Sequence, residues 1–167
     1  RHSLMLKQDG SVWATGDNKH GQLGDGSAYL KNSFVKVMTG GAKALSVGNS
    51  HSMVLKQDGS IWTTGNNEYG QLGDMTAHVK RTFVEVISSG AMTIDAGYEH
   101  SMVLKQDGSV WVTGRNNFGQ LGNGGTACTN VFLQVISSGI QAVAAGSLHS
   151  MVLKSDGSLW ATGANLY

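Results

Sequence analysis

The chain has 167 residues, a formal net charge of +1 and only 14% charged residues. So small a net charge supplies no electrostatic field that would attract the phosphate backbone of a nucleic acid or an anionic membrane surface, which argues against nucleic-acid binding. No apolar run approaches the roughly 20 residues that span a bilayer, which argues against membrane insertion. Cys128 is the single cysteine, which excludes an internal disulfide framework and, with no N-x-Ser/Thr sequon, favours an intracellular setting.

A repeat dominates the sequence. The decapeptide HSMVLKQDGS occupies both residues 51–60 and residues 100–109, and close copies begin at His2 and His149. Successive copies start 49 residues apart. Such a period is typical of solenoids and propellers, in which one supersecondary unit recurs. The expected organisation is a single domain, 1–167, with repeat units 2–50, 51–99, 100–148 and an incomplete unit 149–167.

Each unit begins with a predicted hairpin. In the unit 51–99, a first strand over residues 52–56 is followed by Asp58 and Gly59, a dipeptide that favours a two-residue turn in which both residues take positive φ. A turn of this length predicts that Gln57 pairs with Ser60, and this pairing fixes the register of the whole hairpin.

The predicted register distributes apolar residues over both faces of the hairpin. It places Leu55 opposite Trp62, with Met53 on the same face as Leu55, and it places Val54 and Ile61 together on the other face. A hairpin that is apolar on both faces needs cover on both sides, as it would have between neighbouring sheets.

Two further strands complete the predicted unit. Gly70 and Gly73 bracket a compact loop, a third strand starts at Phe83, and a short fourth strand ends at Gly97. Four antiparallel strands per unit make a small sheet with two apolar faces, and radial stacking of such sheets leaves only short edges exposed. The predicted fold class is therefore all-β, a β-propeller of which this chain forms about three and a half four-stranded blades.

The repeated motifs resemble those of the regulator of chromosome condensation family. They are Gly-x-x-His-Ser, Asp-Gly-x-Val/Ile-Trp, Thr-Gly-x-Asn and Gly-Gln-Leu-Gly, the last at residues 21–24, 70–73 and 119–122. The resemblance implies a seven-bladed propeller that acts as a binding platform. Members of this family include a guanine-nucleotide exchange factor that docks on nucleosomes, parts of ubiquitin ligases, an inhibitor of β-lactamases and the ultraviolet-B photoreceptor.

The chain departs from the family pattern in three respects. It has no proline, whereas the family repeat carries one after Gly-Gln-Leu-Gly. The tryptophan and arginine that precede the histidine in the photoreceptor are replaced here by Asn49-Ser50, Tyr98-Glu99 and Ser147-Leu148, which disfavours light sensing. About three and a half units do not close a seven-bladed ring, so we expect a protein partner or further blades to cover the open end faces.

The polar and aromatic residues that are the same in every repeat of this chain are predicted to have structural roles within the blades. The histidines are expected to bond to backbone at the start of each strand, and the tryptophans are expected to be core anchors, so that Trp111→Ala would cost roughly 3–5 kcal/mol if the ring is buried. We predict no catalytic residue, metal or cofactor. The predicted scaffold residues are His51, His100, Trp62, Trp111, Gly70, Gly73, Gly119 and Gly122.

The positions at which the repeats differ are predicted to carry specificity. They are the pair before each histidine and the stretch after each Gly-Gln-Leu-Gly, which the antiparallel topology brings to one face. Neutral variation of exposed loops is an equal alternative. The candidate protein-binding residues are Tyr29, Lys31, His78, Lys80, Arg81, Tyr98 and Glu99.

The leading functional hypothesis is a non-enzymatic protein-interaction or scaffold module, a propeller segment that docks in a larger assembly. Two alternatives follow from the resemblance alone: a guanine-nucleotide exchange factor for a small GTPase, and chromatin docking. The motifs also argue against a small-molecule substrate, because no constellation of acid, base and nucleophile recurs with suitable geometry.

Overall fold

The computed structural model describes residues 2–165, which form fourteen β-strands in four antiparallel sheets. Sheet 1 consists of β1 (His2–Leu6), β2 (Val12–Gly16) and β3 (Lys31–Met38). Sheet 2 consists of β4 (Ala42–Val47), β5 (His51–Lys56), β6 (Ile61–Gly65) and β7 (Lys80–Ile87). Sheet 3 consists of β8 (Ala91–Ala96), β9 (His100–Lys105), β10 (Val110–Gly114) and β11 (Thr129–Ile136). Sheet 4 consists of β12 (Ile140–Ala145), β13 (His149–Lys154) and β14 (Leu159–Gly163).

The sheets stack as blades around a common inner edge. Strand β8 contacts both β4 and β12 along this edge, while β3, β7 and β11 lie on the outside. Within the described residues there is no helix of the length and apolarity needed to cross a membrane. The predicted all-β architecture of stacked antiparallel sheets is confirmed.

The sheets are offset by one strand from the sequence repeat. The unit 51–99 contains β5 to β8, but β8 pairs with β9 of the following unit. The expectation that the four strands of one unit form one sheet is therefore wrong. Each complete sheet takes its inner strand from one repeat and its other three strands from the next.

The hairpin turns contain three residues and not two. Lys56 N–H donates to the Ser60 carbonyl over 2.9 Å, and Gly59 has a φ of 80°, whereas Asp58 does not have positive φ. This is a type I turn followed by a glycine bulge. The Asp58 carboxylate accepts a hydrogen bond from Ser60 N–H over 2.9 Å, which stabilises this turn. The predicted pairing of Gln57 with Ser60 is wrong.

The longer turn shifts the hairpin register by one residue. Leu55 lies opposite Ile61, and Val54 lies opposite Trp62. Ile61 therefore shares a face with Met53 and Leu55 and packs towards sheet 3, and the prediction that it lies with Val54 is wrong. The prediction that both faces of the hairpin are covered is confirmed, because all residues of β5 up to Leu55 are buried.

The tryptophans lie at the margins of the core. Trp62 and Trp111 are half-buried, and the ammonium groups of Lys56 and Lys105 lie 3.8 and 4.1 Å from the centroids of their respective rings. Trp160 is 57% exposed. Trp62 and Trp111 thus pack against core clusters, as expected, without being fully buried, and the loss on Trp111→Ala should fall below the range for a buried ring.

Phenylalanines of the outer strands fill the space between blades. Phe132 is only 7% exposed and packs in a cluster with Met53, Leu55 and Ile61 of the preceding sheet. The sequence predicted that the outer strand of sheet 2 starts at Phe83, but β7 begins three residues earlier, at Lys80. The equivalent Phe34 of sheet 1 is 43% exposed, because no described residue of a preceding blade covers it.

We predict that Phe132→Ala lowers the free energy of unfolding by about 3–5 kcal/mol, because it removes a buried ring and leaves a cavity. Phe34→Ala, a matched change at an exposed position of the same repeat, should cost less than about 1 kcal/mol. Urea denaturation of both variants measures the difference. Equal losses would show that the blades do not pack through these rings.

Candidate interaction surface

The loops emerge on two rims of the blade stack. The scaffold rim contains the β5–β6 and β7–β8 turns and their equivalents, which are joined by bonds such as Ala91 N–H to the Gly59 carbonyl, 3.1 Å. The variable rim contains the β4–β5 and β6–β7 loops and their equivalents, joined by bonds such as Asn66 N–H to the Ser50 carbonyl, 2.7 Å. The segments that differ between repeats thus lie together on the variable rim, as predicted.

A buried chain of hydrogen bonds anchors the variable rim to the blades. Ser101 Oγ of sheet 3 donates to the carbonyl of Gln71 in the β6–β7 loop over 2.7 Å, so it accepts from Nε2 of His51, 3.0 Å away in sheet 2. The histidine partner is thus a hydroxyl of the next sheet, whereas the sequence predicted backbone. Two equivalent chains join His2, Ser52 and Gln22, and His100, Ser150 and Gln120.

The buried imidazoles are held neutral. Burial lowers the pKa of His51 from 6.5 to about 3 and that of His100 to about 4. Among the described residues, Nδ1 of each ring has no hydrogen-bond partner, and a Cβ at Gly48 or Gly97 would overlap the ring edge that carries this atom. A second ring proton would therefore have no acceptor. Among residues 2–165, no three His, Cys, Asp or Glu side chains are grouped as metal ligands would be.

Two of the candidate binding lysines form ion pairs within their own loops. Lys31 Nζ lies 3.0 Å from Asp25, and Lys80 Nζ lies 3.1 Å from Asp74. The Asp74 carboxylate also accepts from the Asn67 side-chain amide over 2.8 Å. These contacts tie each variable loop to the outer strand that follows it, so both lysines have a role within the chain.

The other candidate residues differ in exposure. Tyr29 is 77% exposed, and His78 and Arg81 are also exposed. Tyr98 and Glu99 are half-buried in the loop between β8 and β9. The structure brings all of these residues to the variable rim.

Sequence reasoning found Glu99 but missed the three residues that form a cluster with it on this rim, Tyr69, Arg115 and Phe118. Arg115 Nη1 lies 2.6 Å from Glu99 Oε2, and its guanidinium carbon lies 4.9 Å from the Tyr69 ring centroid and 5.8 Å from the Phe118 centroid. These side chains come from loops of two adjacent sheets. Comparison of the repeats could have found the cluster, because Arg115 replaces Asp17 and Asn66 of the earlier units.

Met75 was also missed, although it is the most unusual backbone position on the rim. Its φ is 65°, and among the described residues no other non-glycine residue has positive φ. The equivalent residues Gly26 and Gly124 have φ of 83° and 81°. The conformation lets Met75 N–H donate to the Asn130 carbonyl over 2.8 Å, as Gly26 N–H does to Arg81 over 2.9 Å. The Met75 side chain is 76% exposed.

The sequence and the fold identify the family. Residues 1–22, 42–71, 93–120 and 140–167 match one form of the regulator of chromosome condensation (RCC1) repeat, and residues 58–104 and 107–153 match a second form. The chain belongs to the RCC1 repeat family. No curated protein sequence shows a significant match to this chain.

Solved structures of RCC1-type propellers are similar to the chain. Human WBSCR16 is 20% identical with a TM-score of 0.84, and yeast RCC1 (Prp20), in a crystal structure with Kap60 bound, is 23% identical with a TM-score of 0.82. The alignments cover 97% of this chain but only 44% and 41% of those chains. Prp20p from Saccharomyces cerevisiae, described with its binding properties to Gsp1p and histones, is 24% identical with a TM-score of 0.80, over 97% of this chain and 43% of that one. These similarities confirm that the fold is a partial propeller.

We predict that stability falls as the pH is lowered from about 6.5 towards 4. In the unfolded state the histidine pKa is about 6.5, whereas in the folded state the pKa of His51 is about 3 and that of His100 is about 4. The unfolded state therefore binds more protons in this pH window, and protonation favours unfolding. Each buried ring should lower the free energy of unfolding by roughly 1 kcal/mol for each pH unit of acidification. Urea denaturation at pH 7, 6 and 5 measures the slope of the free energy of unfolding against pH. As a control, His78→Asn removes an exposed histidine and should leave this slope unchanged. A flat profile would contradict the neutral, buried rings.

We also predict that Met75→Gly raises the free energy of unfolding by about 1 kcal/mol, because it relieves a left-handed backbone conformation. Gly124→Ala should lower the free energy of unfolding by a similar amount, since no atom of residues 2–165 lies within 4 Å of the added Cβ and only the φ of +81° opposes it. Chemical denaturation of both variants compares the two positions. A loss of stability in Met75→Gly would mean that packing, and not strain, governs this position.

Proposed function

We propose that this chain is a protein-interaction module that docks through the variable rim and performs no catalysis. Membership of the RCC1 repeat family and the propeller fold provide a rigid stack of blades. On this stack, the scaffold rim repeats with little change, whereas the variable rim differs from blade to blade. Rigid scaffolds with variable loops are the common arrangement of binding surfaces.

The observation that carries this proposal is the strained, exposed Met75. A glycine at this position would adopt the positive φ without strain, as Gly26 and Gly124 do at the equivalent positions, and would make the fold more stable. The methionine instead presents a flexible apolar side chain to solvent, where it contributes little to folding. Strain retained at an exposed position is characteristic of functional sites, and methionine suits a surface that adapts to a protein partner.

Other side chains of the rim have the chemistry of a protein interface. Tyr29 and Leu30 are exposed on the first variable loop, and Val79 is exposed on the second. In the Arg115 cluster, an arginine is held against two aromatic rings and one carboxylate. Tyrosine, methionine and arginine are enriched in the centres of interfaces. The candidate residues Tyr29, His78, Arg81, Tyr98 and Glu99 belong to this proposed surface, and Lys31 and Lys80 support it through their ion pairs.

A photocrosslinking experiment tests which rim is used. A benzophenone amino acid is introduced at Tyr29 or Met75 on the variable rim and, as matched controls, at Gln57 or Gln106, which are exposed on the scaffold rim. We expect crosslinks to a defined protein from the first pair only. Met75→Gly should weaken capture of that protein at least about tenfold, although the variant folds more stably.

Two outcomes would contradict the proposal. The first is crosslinking of the same protein from the scaffold rim with equal yield. The second is faster nucleotide release from a small GTPase, across a panel, at substoichiometric amounts of the chain. This second result would support a guanine-nucleotide exchange factor, the alternative suggested by the family resemblance.

A further inference from the structure

The start of β7 carries an arginine that is held by the β2–β3 loop of the neighbouring sheet. Gly26 N–H of this loop donates to the Arg81 carbonyl over 2.9 Å, and a β-bridge joins Asp25 to Thr82. A Cβ built at Gly21 would lie 2.7 Å from Cγ of Arg81, so the stem of the arginine rests against this glycine. Arg81 is nevertheless exposed. The stem is fixed by the scaffold while the residue remains accessible from solvent.

The two carboxylates beside Arg81 are occupied by lysines. Asp25, which is bridged to the residue after Arg81, lies 3.0 Å from Nζ of Lys31. Asp74 lies 3.1 Å from Nζ of Lys80, the residue before Arg81, and both carboxylates are largely buried. Among residues 2–165, none forms an ion pair with Arg81. Its positive charge is therefore available to a partner.

Val79 and Arg81 point to the same side of the chain. Lys80 between them turns to Asp74, whereas Val79 is 43% exposed and Arg81 is exposed. This alternation is that of an extended chain, in which side chains two residues apart lie about 7 Å from each other on one side. Sheet 2 is packed against a sheet on each flank, so the exposure belongs to a blade with both neighbours in place.

Apolar side chains lie on both sides of Arg81. Val79 precedes it, and Tyr29 and Leu30 follow Gly26 in the loop that bonds to it. Leu30 is equivalent to Val79, which is exposed although sheet 1 precedes it, so exposure at this position is a property of the repeat. We call the set the arginine ridge, and it consists of Tyr29, Leu30, Val79 and Arg81.

The chemistry of the ridge selects a carboxylate with apolar neighbours. The planar guanidinium of an arginine matches the two oxygens of a carboxylate, and apolar groups around such a pair exclude water and strengthen it. An extended segment also fits the spacing of the ridge, because its own side chains two residues apart lie on one side, as those of Val79 and Arg81 do.

We propose that the arginine ridge binds an extended segment of a partner protein that carries an aspartate or glutamate with an apolar residue two positions away. The carboxylate pairs with the guanidinium of Arg81, and the apolar side chain covers Val79. Tyr29 and Leu30 contact a further apolar residue of the segment. The inference rests on the proposed function, since it takes the variable rim as the docking surface and specifies the chemistry of the partner there.

Selection from a library of short random peptides tests this chemistry without a known partner. Yeast cells that display the library are sorted for binding to the full chain, and the peptides are sequenced before and after sorting. We expect the pattern acidic-x-apolar to be enriched at least about tenfold, because its two side chains match the two groups on β7 and beside it. Sorting against the chain with Arg81→Ala should lose this enrichment.

Charge exchange tests whether the carboxylate contacts Arg81 itself. The affinity of one selected peptide is measured by fluorescence anisotropy. Arg81→Glu should weaken binding at least about tenfold, and a peptide with arginine in place of its acidic residue should bind this variant again. Lys43→Glu is the matched control, because it makes the same change of charge at an exposed lysine near the scaffold rim and should leave the affinity within about twofold.

Three results would overturn the proposal: no enriched peptide, enriched peptides without the acidic-x-apolar pattern, or equal weakening by Arg81→Glu and Lys43→Glu. The last result would mean that net charge, and not Arg81, attracts the segment. Photocrosslinking from Met75 reports docking at the variable rim independently. A crosslinked protein together with any of the three results would remove this inference and leave the proposed function standing.

Discussion

The structure depends on a buried contact between an imidazole and a hydroxyl of the next blade. The histidine at the start of one strand donates to a serine 50 residues later, and that serine donates to a glutamine carbonyl in the loop of the first blade. This chain of bonds explains two repeated sequence features: the glycine that gives the ring room, and the histidine-serine pair. The glutamine of Gly-Gln-Leu-Gly contributes only its main-chain carbonyl to the chain, while its side-chain oxygen accepts from the N–H two residues earlier, as Gln71 does from Tyr69 over 3.0 Å. The histidine and serine that open the decapeptide recur because each described junction between blades uses this pair.

The same contact separates the roles of the two rims. Because the glutamine carbonyl is fixed, the rest of the loop after Gly-Gln-Leu-Gly can vary without loosening the blades. Asp25 and Asp74 hold the first two of these loops through lysine, whereas the third has Asn123 and Thr129 at the equivalent positions. Variation is thus confined to side chains that face outward, where a residue as costly to the backbone as Met75 is tolerated.

Local and long-range features differed in how far the sequence could predict them. The 49-residue period, the hairpins and the sharing of variable loops by one rim follow from pattern and topology alone. The register of the hairpins could not be predicted in this way, because Asp-Gly suits both a two-residue turn and a three-residue turn with a glycine bulge. The contact of Asp58 with Ser60, which favours the three-residue turn, is visible only in the structure. The histidine partner, the offset of the sheets and the strain at Met75 each depend on groups from different repeats, which single-repeat reasoning cannot bring together.

The one-strand offset has a consequence for how such a chain can grow or shrink. Every complete sheet spans the junction of two repeats, so removal or duplication of any 49-residue stretch, whatever its starting point, leaves the order of inner, middle and outer strands intact. Blade number can therefore change in whole steps during evolution without passing through a chain that contains a broken sheet.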